Sequence, residues 1–104
     1  MTMNMFYRQG DVGLLKVEAL PKGAEKQQVE ERIILAYGEV TGHAHAIAAD
    51  DAALYFEGAR RFLEVCYKAD LTHEEHGRIT LPAGTYKVII QREYTPNALR
   101  IVKD

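Results

Sequence analysis

Apolar and polar positions alternate with a period of two through most of this chain, and few windows repeat at the spacing of a helix. Residues 6–9 and 12–18 read as one interrupted strand or two short ones, because Gly10-Asp11 breaks the run and Gly13 is a candidate bulge. Pro21-Lys22-Gly23 signals a turn, and 24–28 is a polar connector with room for one helical turn. A strand is expected over 29–37, where Ile33-Ile34-Leu35 is short and rich in β-branching. Gly38 and Gly42 bracket residues 39–41, so a kink or bulge is expected before a strand that runs on to 48. Asp50-Asp51 then turns the chain into a strand at 53–57, which Gly58 ends. In 61–68, Leu63, Val65 and Tyr67 share the cleaner core face, and Cys66 reads as a small buried hydrophobe. Residues 69–77 are polar, with Asp70 or Thr72 placed to cap one helical turn, a loop being equally consistent. A short strand at 78–81, a turn at Pro82-Ala83-Gly84 and a long strand at 85–94 follow, the last burying Tyr86, Val88 and Ile90. Thr95-Pro96 has the form of an N-cap with proline at the first helical position, so 96–102 is expected as a short C-terminal helix or an edge strand.

Five or more strands at this spacing, without a helix longer than two turns, predict an all-β fold, a small antiparallel barrel or sandwich. A length of 104 residues suits a single β domain over 1–104. With 47% apolar and 27% charged residues the chain should bury a core and fold alone. Its net charge of -2 is spread, with Lys and Arg alternating with Asp and Glu, which argues against a nucleic-acid partner. The basic doublet Arg60-Arg61 reads as a solvated turn. No apolar run approaches the roughly 20 residues of a spanning helix, and the start carries no leader pattern, so no membrane is expected. The lone Cys66 forms no internal disulfide, and a cytoplasmic setting is expected.

Chemistry concentrates in two short stretches that hold all four histidines. His43 and His45 stand one residue apart on the expected strand, so they share a face with Ile47 while Ala44, Ala46 and Ala48 take the other. His73 and His76 lie in Leu71-Thr72-His73-Glu74-Glu75-His76-Gly77, a spacing that converges in a helical turn and is one residue short of the zinc-protease signature. Neutral imidazole is accepted by zinc, iron, manganese, nickel and copper. Two imidazoles hold an ion weakly, so a site needs the second pair to fold over the first. The candidate ligands are therefore His43, His45, His73 and His76, for a divalent transition metal of the zinc, iron, manganese or nickel type. The residues equally allow surface histidines without an ion, or a metal-free cluster in which Glu39, Glu74 or Glu75 orients an imidazole, with Glu57 a further carboxylate. No Ser or Cys adjoins a histidine, so covalent catalysis gains no support. An open coordination position would suit a small organic ligand. Strand edges and the six tyrosines would suit a homo-oligomer or a partner-binding module that needs no metal.

Gly42 followed by His43-x-His45, and then the turn Gly77-x4-Pro82-x-Gly84 entering a long strand, resemble the two motifs of the cupin family over residues 38–90. The resemblance implies a small double-sheet β-barrel, of a kind that often holds a divalent metal inside and often pairs. Only His43 and His45 carry over residue by residue, because Ala48 and Ala49 stand where the first motif supplies a glutamate and Lys87 where the second supplies a histidine. On this reading His73 or His76 completes the ligand set from a different loop.

Overall fold

Alternation becomes sheet over most of residues 5–38 and 42–91, the part of the chain that the computed structural model describes. The strands are β1 (Phe6–Gln9), β2 (Val12–Val17), β3 (Glu25–Lys26), β4 (Arg32–Tyr37), β5 (Ala44–Ala48), β6 (Ala52–Glu57), β7 (Arg60–Leu71) and β8 (Ile79–Ile90). Six of them pair in the order β1-β2-β8-β7-β6-β3, while β4 and β5 form a separate hairpin, and every pairing is antiparallel. The larger sheet curls into a half-barrel, so the fold is all-β as the alternation predicts. No α-helix occurs among the described residues, and none there is long and apolar enough to cross a membrane.

The core lies where the two sheets face each other. Leu14 of β2, Ile33 of β4, Ile47 of β5, Leu63 and Leu71 of β7 and Tyr86 of β8 are each 1% exposed or less. Burial of such side chains contributes about 1.5–3 kcal/mol apiece. One junction joins the sheets edge to edge: Thr72 N–H donates to Ala46 O at 2.9 Å, and Ala46 N–H donates back to Thr72 O at 3.0 Å. This exchange sets the middle of β5 against the segment that leaves β7, which is what brings the two histidine stretches together.

Several expectations need correction. The strands foreseen at 78–81 and 85–94 are one continuous strand as far as Ile90, bent at Pro82-Ala83-Gly84 instead of turned. Opposite that bend β7 bulges, with a register shift between Val65 and Lys68. The bulge pushes Cys66 and Tyr67 into solvent, Tyr67 being 79% exposed, so Tyr67 is not the core residue the alternation suggested and Cys66 is not the buried hydrophobe its residue type suggested. Gly13 marks no bulge, since β2 keeps register with both neighbours. The Phe6 ring lies on it instead, 2.5 Å from where a Cβ would stand. The helical turn allowed at 24–28 is replaced by β3, and of the two readings open for 69–77 the loop is the one formed, after the end of β7. The expected helix or edge strand at 96–102 lies outside the described residues.

Candidate metal centre

Three backbone segments meet at one end of the half-barrel: the β1–β2 turn, the entry to β5 and the loop 72–78 between β7 and β8. Gln9 and Val12 face each other across Gly10-Asp11, a two-residue hairpin turn that Gly10 makes at φ +58°. Both faces of β5 are covered, with Ala44, His45, Ala46 and Ile47 each 3% exposed or less. His43, just before the strand, is half-buried, and its carbonyl accepts the Gly38 N–H at 2.8 Å.

Side chains fasten the loop to both other segments. Glu74 Oε1 accepts the Ala44 N–H at 2.9 Å. Gln9 Nε2 donates to Leu71 O and to Gly77 O, each at 2.9 Å, so a residue of β1 clasps the two ends of the loop. Within the loop, the Glu75 N–H donates to His73 Nδ1 at 3.0 Å. The bond from Ala44, above all, and one from its own backbone N–H hold Glu74 below the usual carboxylate range; lost hydration opposes this, and nearby His43 and His73 reinforce it.

All four imidazoles converge as a result. Ring centroids lie 4.3 Å apart for His45 and His73, 4.7 Å for His73 and His76, and 5.7 Å for both His43–His73 and His45–His76. His73 and His76 achieve this in a bent loop, so the helical turn that their spacing implied is unnecessary. One ligand atom each from His43, His73 and Glu74 lie within 4.8 Å of one another. His43 Nδ1 is 3.5 Å from Glu75 Oε2, yet it is buried and no hydrogen bond reaches it from the described residues. Such an orphaned buried nitrogen is uncommon and calls for an explanation.

Two glycines leave room for the rings. A Cβ at Gly10 would stand 2.8 Å from His76 Nε2 and 3.2 Å from His45 Cε1. A Cβ at Gly38 would stand 2.9 Å from His73 Nε2. All three distances are below ordinary van der Waals contact, so any larger residue at either position displaces an imidazole.

The histidines and Glu74 and Glu75 are residues that the sequence singles out, whereas Gln9 and the steric role of Gly10 are not. Gln9 looks like any polar strand end, and only the return of the loop over β1 gives it a partner. Glu39 lies outside the described residues, and Glu57 pairs with Arg60 across the β6–β7 turn. No curated protein and no solved structure shows a significant match to the chain. Residues 8–91, which include Gln9, Gly10 and every histidine described here, match the family named as a domain of unknown function, DUF8820, and the chain belongs to that family.

Proposed function

We propose that His43, His45, His73 and His76, with Glu74 as a carboxylate donor, form a centre for one divalent transition ion of the zinc, iron, manganese or nickel type. The observation that carries this reading is the packing of His43, His45 and His76 around the His73 ring, beside a buried His43 Nδ1 that has no hydrogen-bond partner among the described residues. Imidazole nitrogens with one carboxylate are a donor set that such ions favour over calcium or magnesium. Ligand atoms around a tetrahedral ion with bonds of about 2.0–2.1 Å stand roughly 3.4 Å apart. Those of His43, His73 and Glu74 already lie within 4.8 Å, so side-chain shifts of about an ångström would bring these three to that spacing. Use of His73 as a ligand gives up its bond from the Glu75 N–H, a loss of about 0.5–1.5 kcal/mol that metal bonding outweighs.

The cupin resemblance supports the same reading through His43 and His45, with loop histidines in place of that family's remaining ligands. An ion held this way with one open position would polarise or orient a small organic ligand. A module bearing unrelated surface histidines is less well supported, because His45 is 3% exposed and the rings contact one another.

Metal analysis of protein purified without a histidine tag or chelating column tests the proposal. About one equivalent of a transition metal per chain is expected in the wild type, falling to background in His43→Ala/His45→Ala. Metal-free protein that fails to bind added zinc, nickel, manganese or iron would overturn it.

A further inference from the structure

An imidazole offers a metal one nitrogen only if the proton sits on the other, and the hydrogen bond at the far nitrogen decides which. At His45 that bond is unusually well determined. His45 Nδ1 lies 2.9 Å from Gln9 Oε1, in a contact where both residues are 3% exposed. The orientation of the Gln9 amide follows from its other partners. Its nitrogen faces Leu71 O and Gly77 O, each at 2.9 Å, and carbonyl oxygens only accept. The NH2 group must therefore occupy that side, which leaves Oε1 toward His45. Since Oε1 also only accepts, Nδ1 of His45 must donate.

We infer that Gln9 is the positioning residue of the site: it fixes the His45 proton on Nδ1 and so directs the lone pair to Nε2, the nitrogen that would bind an ion. The assignment of Nε2 as a ligand rests on the metal reading above, whereas the proton position does not. The device costs little to hold in place, because the same amide ties β1 to both ends of the loop that carries His73 and His76. Gln9 thus sets the tautomer of a strand histidine and the position of the loop histidines with one side chain. Gly10 follows directly and leaves space at His45 Cε1, so the chain needs a polar carboxamide and then a residue without a side chain at this turn.

Imidazole nitrogen-15 spectra of the metal-free protein, together with zinc titration calorimetry, test this on the wild type, Gln9→Met and Gln9→Glu. The wild type should show His45 protonated on Nδ1. Gln9→Met, which keeps the length but offers only a weak thioether acceptor, should redistribute the proton and weaken zinc binding 10- to 100-fold. Gln9→Glu restores an accepting oxygen, so it should recover the Nδ1 proton and bind zinc more tightly than Gln9→Met. A purely structural clasp would make both variants equally weak and leave the His45 tautomer unchanged, which would overturn the inference. A wild-type spectrum with the proton on Nε2 would overturn it without any variant. If the wild type binds no zinc but its Nδ1 proton is present and lost in Gln9→Met, the positioning role stands and the metal reading fails.

Discussion

Two glycines with nearly the same backbone separate conformational strain from the shape of the site. Gly10 and Gly58 have φ of +58° and +64°, and each closes a two-residue hairpin. Alanine at either position costs about 1–2 kcal/mol in this left-handed region. Among the described residues nothing lies within 4 Å of a Cβ built at Gly58, whereas at Gly10 His76 Nε2 is 2.8 Å away. Urea melts of Gly10→Ala and Gly58→Ala should therefore show similar losses of stability. Zinc titration should separate them, with affinity reduced in Gly10→Ala and unchanged in Gly58→Ala. Equal zinc affinity in both would mean that the ion is held elsewhere. Sequence alone identifies both glycines as turn formers, because that role is local. The second role of Gly10 depends on residues 35 and 66 positions away and has no local signature.

At the scale of the strands, β7 and β8 show where period-two reading succeeds and where it stops. Leu63 and Val65 of β7 face the core as the alternation implies, and so do Tyr86, Val88 and Ile90 of β8. Between them the bulge opposes Cys66 and Tyr67 to the single residue Ala83. Across it the inward positions of β8 change from even numbers to Leu81 and Ile79. Pro82-Ala83-Gly84 is composed like a turn, and only the paired bulge in β7 keeps it within a strand. Tyr86 staples this bend, its hydroxyl donating to Pro82 O at 2.7 Å. Burial first, and the neighbouring Tyr7 second, push the Tyr86 phenol from 10.0 up to about 12. Its stabilising contribution is thus complete below pH 10, where folded and unfolded chains both hold the proton. It is lost as pH rises toward 12, because the unfolded chain ionises first. The loss amounts to on the order of 2–3 kcal/mol, about half of it by pH 11. Urea midpoints between pH 8 and 12 should show this decline in the wild type, and Tyr86→Phe should lack that part of it while losing about 1 kcal/mol at neutral pH. Parallel pH curves for the two proteins would mean that the phenol is hydrated or ionises normally.

For the molecule as a whole, the antiparallel all-β class was legible because nearly every strand carries its own alternation. The separation of β4 and β5 from the larger sheet was not, since β5 is buried on both faces and its pattern does not say which neighbour it takes. The same gap limits the reading of the site. Each histidine pair is visible locally, but their meeting depends on the exchange of bonds between Ala46 and Thr72, residues 26 apart that no motif connects. That meeting is the central claim, and metal-dependent melting of single and double variants addresses it most directly. An ion that binds only the folded chain adds RT ln(1 + [L]/Kd), about 2.7 kcal/mol at a hundredfold excess. For a domain of this size that is roughly 10–20 °C in Tm. With zinc added to the wild type, His43→Ala, His73→Ala and the double variant, one shared ion should raise the wild-type Tm by such an amount. Either single change should remove most of the rise, and the double change no more than either alone. No rise in the wild type, or partial losses that simply add, would contradict a single centre built from both pairs.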